Sequence, residues 1–180
     1  MEWPLAITTA ALLAALAALA IIDARTLRLP DKLTLPLIAA GLAAAWASGA
    51  PVWLHLLGAV LGYLSLVVIE KGYLKVRGRA GLGRGDAKLF AAGGAWCGAL
   101  ALPLILLVAS ASALLYVLVM RLLAGRRLQV DLMIAFGPFL AFAIGLIFLL
   151  QAAGLTRLAG LEAGLSPRRL PQWRGAPYSG

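Results

Sequence analysis

Apolar residues dominate six blocks of this chain, at roughly 5–22, 33–48, 52–69, 87–100, 102–122 and 132–151. Short polar connections separate them. A helix needs about 20 apolar residues to cross the ~30 Å hydrocarbon core of a bilayer. The pattern therefore predicts an all-α, polytopic membrane protein with six transmembrane helices. The fourth block is short and rich in glycine, and the break near Leu102-Pro103 divides it from the fifth, because proline suits the first turn of a helix and not its interior. Pro36 falls near the start of the second block. Pro138 lies within the sixth and predicts a kink or break there. Residues 1–151 read as one membrane domain. Residues 152–180 read as a basic tail rich in Gly, Pro and Arg, expected to be flexible beyond about Leu165.

Composition strengthens the membrane reading. The chain is 63% hydrophobic and only 13% charged, against about 45–50% apolar and about 25% charged in soluble domains. The net charge of +9 would suggest a nucleic-acid partner in a soluble protein. Here the charges crowd into short loops, so the partner they imply is the lipid bilayer, and no nucleic acid is expected. The single cysteine, Cys97, allows no internal disulfide and no cysteine metal site, and no cofactor or metal is expected. The first block is expected to remain as a helix. Ala18-Leu19-Ala20 looks like a signal cleavage site, but Glu2 and the lack of Lys or Arg before the block are wrong for a secretory signal.

Charge also orients the helices. The connections 23–32, 70–88 and 121–131 hold 12 of the 16 basic residues, whereas the alternate turns at 49–51 and near 101 hold none. The positive-inside rule places the three basic loops in the cytoplasm and both termini outside, although the tail carries four Arg. Trp46, Trp53 and Trp96 are candidates for an interfacial aromatic belt. Gly58/Gly62 and Gly94/Gly98 have the small-xxx-small spacing that lets helices approach closely, here read as packing and not as a dimer motif.

Catalysis at a bilayer needs polar groups that are costly to place there. Only seven carboxylates are available. Glu2 and Glu162 are terminal and expected to be solvated. Glu70 is expected at the interface with Lys71. Asp131 and Asp31 each precede an apolar block, where Asp131 suits a helix amino end and Asp31 can cap through its side chain. Two carboxylates remain, Asp23 at the end of the first block and Asp86 at the start of the fourth. Both fall at cytoplasmic helix ends, at similar depth, where two carboxylates could meet, share a proton and act as an aspartyl dyad. Spacing alone also permits a helix cap at Asp86 and an interfacial charge at Asp23. Capping leaves unexplained why Asp86 follows Gly83-Arg84-Gly85. Two glycines there would allow a sharp turn and the approach of a substrate backbone.

Gly83-Arg84-Gly85-Asp86 resembles the GxGD motif of intramembrane aspartyl proteases. The longer run GLGRGDAKLFAAGGAWCG is similar to the type IV prepilin peptidases, as are Asp23 to Pro36, with its Pro-Asp-x-Leu-Thr-Leu-Pro, and Ala135 to Ala141, where Ala135 replaces the usual Pro. The resemblance spans about residues 5–151. It implies a leader peptidase with Asp23 and Asp86 as the catalytic pair, Gly83, Gly85 and Lys88 as motif residues, and a prepilin or pseudopilin as substrate. It implies cleavage at the cytoplasmic face of the bacterial inner membrane. Longer members add an amino-terminal domain with paired CxxC zinc sites and methylate the product. This sequence shows no such pairs, and a peptidase-only form is expected.

On helix-dipole grounds Asp86, at a helix amino end, is expected to serve as the base, and Asp23, at a helix carboxyl end, as the acid. Lys88 is read first as snorkelling to lipid headgroups, and His55 as interfacial and not catalytic. The alternative function is a non-enzymatic membrane component of a pilus or secretion assembly.

Overall fold

A computed structural model describes residues 3–78, 83–124 and 135–154. Six α-helices account for most of them: α1 (Trp3–Thr26), α2 (Asp31–Ala47), α3 (Val52–Arg77), α4 (Arg84–Cys97), α5 (Leu102–Ala124) and α6 (Gly137–Ala152). A 3-10 turn, Ala99–Ala101, links α4 to α5. Among the described residues there is no strand. Three stretches, Ala6–Thr26, Val52–Val76 and Ala99–Leu123, are long and apolar enough to cross a membrane, and α6 is a shorter apolar helix. The chain is an all-α membrane protein.

The short fourth helix forms the centre. From Leu89 to Cys97 every residue of α4 is buried. Helices α2, α3, α5 and α6 pack on it, and α1 packs on α6. Its 14 residues span only ~21 Å at 1.5 Å per residue, less than the ~30 Å hydrocarbon core. Its carboxyl end therefore lies inside the bundle, where the last carbonyls of a helix lack partners. Side chains from two neighbours supply them. His55 of α3 binds the Ala95 carbonyl through Nδ1 at 2.9 Å, which requires the tautomer with the proton on Nδ1. Gln151 of α6 donates to the Cys97 carbonyl at 3.1 Å. His55 is thus a half-buried tie between α3 and α4.

Small residues let α3 and α4 touch backbone to backbone. A Cβ on Gly58 would meet the Gly94 carbonyl oxygen at 2.5 Å, and one on Gly62 would meet the Phe90 oxygen at 2.9 Å. The packing reading of Gly58, Gly62 and Gly94 holds. Gly98 differs: nothing lies near it, and it ends α4 with φ 81°, a conformation glycine adopts without strain.

Several boundaries depart from the hydropathy pattern. Helix α3 runs on through Glu70, Lys71 and Lys75 to Arg77, because charged residues end an apolar block without ending a helix, and Glu and Lys are good helix formers. Helix α6 starts at Gly137, so Pro138 occupies its first turn and no kink is needed. Trp46 and Trp53 are exposed near the α2–α3 turn, as a belt requires, but Trp96 is buried. Its Nε1 donates to the Leu37 carbonyl at 2.9 Å, and its ring meets Phe148 edge-on. Asp131 and most of the proposed tail, from residue 155 onward, lie outside the described residues.

Candidate active site

Three helix ends converge at one end of the bundle. Asp23 lies in the last turn of α1, Asp86 in the first turn of α4, and Gly137 opens α6. Both carboxylates are buried, with Asp23 5% and Asp86 7% exposed. They lie close enough for Asp86 to feel the charge of Asp23. Residues 63 positions apart are thereby brought into one site.

Burying a carboxylate is costly unless hydrogen bonds replace water. Asp23 Oδ2 accepts the Gly137 amide at 3.0 Å, one of the orphan donors at the start of α6. Asp86 is the third residue of α4 and accepts the amide of Gly83, the residue that caps the helix. That is the side-chain half of a capping box. The cap and a place beside Asp23, set apart as alternatives on spacing, are therefore compatible in one carboxylate. The dipole argument for distinct acid and base roles loses its basis. Asp23 ends α1 but also faces the amino end of α6, so both carboxylates meet a helix amino terminus.

The two glycines before Asp86 do different work. Gly83 has φ −78°, so no left-handed turn is made there. A Cβ on Gly83 would lie 3.5 Å from Asp86 Oδ2, an ordinary contact, which leaves room beside the carboxylate. Gly85 is already filled. A Cβ there would meet Leu29 Cβ at 2.8 Å, so Gly85 admits the α1–α2 connection and not a substrate. Leu27, just after α1, adopts φ 52°, a conformation that costs a bulky residue of order 1 kcal/mol or more. That bend precedes buried Leu29, which packs over Gly85. The segment carrying Asp23 is thus joined to the segment carrying Asp86.

Among the described residues no cation pairs with either aspartate. Lys88, two residues from Asp86, pairs instead with Asp31 at the start of α2. The Lys88 ammonium is thus held by Asp31, and Asp31 forms no side-chain cap; Pro30 occupies the cap position. Arg84 approaches Glu70 at 3.9 Å, so Glu70 faces α4. The two basic residues bracketing Asp86 therefore reach α2 and α3, and the dyad keeps no neutralising partner. Gly137 is the site residue that residue chemistry alone missed. It has no side chain to flag it, and only its place in the Ala135–Ala141 block marked the segment.

Comparison with known proteins gives the chain a family. The model of the Type IV leader peptidase family matches residues 10–118, which include both aspartates. The chain is 48% identical over 125 residues to the prepilin leader peptidase/N-methyltransferase of Escherichia coli (strain K12), covering 68% of this chain and 54% of that protein. It is 46% identical over 133 residues to the protein of the same name from Dickeya chrysanthemi, covering 72% and 46%. With that of Neisseria gonorrhoeae the identity is 44% over 138 residues, covering 76% and 46%. The chain spans about half the length of these curated relatives. No solved structure matches it. On the family match and these identities, the chain belongs to the type IV leader peptidase family.

Proposed function

We propose that this chain is a membrane aspartyl endopeptidase that removes the leader from type IV prepilin-like or pseudopilin precursors, with Asp23 and Asp86 as its catalytic pair. The observation that carries this reading is the meeting of two buried carboxylates that have amide donors but no cation. Such a pair holds one proton between its members. The ionised carboxylate takes a proton from water as the oxygen attacks the scissile carbonyl carbon. The protonated carboxyl gives a hydrogen bond, then its proton, to the carbonyl oxygen. The tetrahedral intermediate then collapses, the C–N bond breaks, and the departing amine takes a proton. Either aspartate can fill either role, because the pair titrates as a unit.

In this reading the helix bundle lies in the inner membrane of a bacterium, with the site at the cytoplasmic face. The alternation of basic and uncharged connections supports that orientation. N-methyl transfer, named for the relatives, is assigned to no residue of the site.

The test is co-expression with a prepilin and amino-terminal sequencing of the product. Asp23→Asn and Asp86→Asn should each abolish cleavage while membrane insertion and abundance stay unchanged. Full cleavage by either variant would remove the dyad, whereas no cleavage by the unmodified chain would leave the non-enzymatic assembly role standing.

A further inference from the structure

We propose that Leu29 is a positioning residue for the aspartate pair: through it, the α1–α2 connection holds Asp86 at a set distance from Asp23. This deepens the peptidase reading above and rests on it. Helix α1 packs on α6 and α2, whereas α4 packs on α2, α3, α5 and α6. The spacing of Asp23 and Asp86 is therefore not set by a broad α1–α4 interface. It is carried by the groups that link the two helix ends.

One link is the Gly137 amide of α6 on Asp23. The other is the α1–α2 connection. At the end of α1 the Leu27 amide donates to the backbone carbonyl of Asp23 at 2.8 Å. That bond belongs to a left-handed helix cap, a place usually held by glycine. Leucine holds it here with φ 52°, and such a conformation persists only where the surroundings over-determine it. The Thr26 hydroxyl lies 2.8 Å from the Ile22 carbonyl and 3.1 Å from that of Arg28, so it spans the same bend. The bend delivers buried Leu29 onto Gly85. A Cβ on Gly85 would lie 2.8 Å from Leu29 Cβ and 3.3 Å from the Leu29 amide nitrogen. Backbone and side chain of Leu29 thus both lie against the residue that precedes Asp86. On the other side of Asp86, Asp31 holds Lys88. The connection starts at the carbonyl of Asp23 and grips α4 on each side of Asp86.

A leucine that only fills space costs stability when truncated and leaves the chemistry alone. A positioning leucine alters the coupling of the two carboxylates. Carboxylates held close lose their protons in two separated steps, and moving them apart brings the steps together. The pH–rate profile of kcat, bounded by those steps, then narrows. The other charged groups at this end of the bundle are Asp31 on α2, Glu70 on α3, and Arg84 and Lys88 on α4. The variants below leave all of them in place, so a narrowed profile reports the spacing of the pair.

The experiment measures kcat and KM against pH for the full chain in membranes, with a prepilin as substrate. Leu29→Ala should lower kcat by about tenfold, leave KM unchanged and narrow the profile. Leu29→Met, similar in volume, should restore both kcat and profile. Leu12, also buried, lies about three helical turns before Asp23. Leu12→Ala should lower the melting temperature as Leu29→Ala does and keep the unmodified profile. Leu27→Gly suits φ 52° and keeps the fold; its looser connection should lower kcat by about threefold and narrow the profile. Where Leu29→Ala does not fold, Leu27→Gly decides alone. An unmodified profile in folded Leu29→Ala would overturn the proposal, as would equal narrowing in Leu12→Ala. If the unmodified chain cuts no prepilin, the peptidase reading falls first, and this proposal falls with it.

Discussion

The two ends of α4 are held in opposite ways. At the carboxyl end the contacts are short and permanent. Gly94 lies against the backbone of Gly58, Trp96 is hydrogen-bonded to Leu37, and the last carbonyls are satisfied by His55 and Gln151. At the amino end the contacts are electrostatic and partly exposed. Lys88 reaches an Asp31 side chain that is 57% exposed, and Arg84 lies 3.9 Å from Glu70. The buried end sets where the helix is. The polar end presents Asp86 to Asp23 and to whatever enters the site. Under the proposed function, such a division would let a substrate chain reach the two carboxylates without loosening the packed end of α4.

That contrast can be broken from either end. The largest effect belongs to the chemistry: Asp86→Asn should lower cleavage by on the order of 10³-fold or more with thermal stability in detergent retained. Next comes the anchor. Gly94→Val puts a side chain into the Gly58 backbone and should cost about 3 kcal/mol by overpacking, read as a lowered melting temperature and reduced yield. Gln151→Ala leaves the Cys97 carbonyl without its side-chain partner and should cost about 1–2 kcal/mol, with cleavage by the surviving folded protein near normal. At the polar end the order of effects reverses. Lys88→Gln should change stability by less than about 1 kcal/mol yet lower kcat by up to about tenfold. The exchanged pair, Asp31→Lys with Lys88→Asp, should recover at least half of that loss. A large stability loss in Lys88→Gln would merge the two ends into one structural unit. The smallest effect is expected for Gly83→Ala, whose added methyl meets only an ordinary contact. Its melting temperature should be unchanged, and any effect should fall on KM.

The helices and the two aspartates were legible in the chain. Apolar blocks must leave water, so they mark helices, and a carboxylate at the edge of such a block is too costly to be incidental. Helix ends were less legible, as α3 shows, because hydropathy reports solvent preference and not backbone conformation. Partnerships were not legible at all. Asp31 read as a cap because its local sequence permits one; its partner Lys88 lies 57 residues away. Gly85 read as space for a substrate because glycine signals close approach without saying what approaches. Leu29 fills that space.

By itself, then, the sequence determined an all-α membrane chain, a short fourth helix and two carboxylates at the edges of apolar blocks, since all three follow from local composition and the cost of polarity in lipid. Only the tertiary structure decided that the amide of Gly137 supports Asp23 and that Lys88 and Arg84 pair with Asp31 and Glu70 rather than with the two aspartates. Those are relations between helix faces, set by how α2, α3, α5 and α6 pack on α4 and α1 on α6.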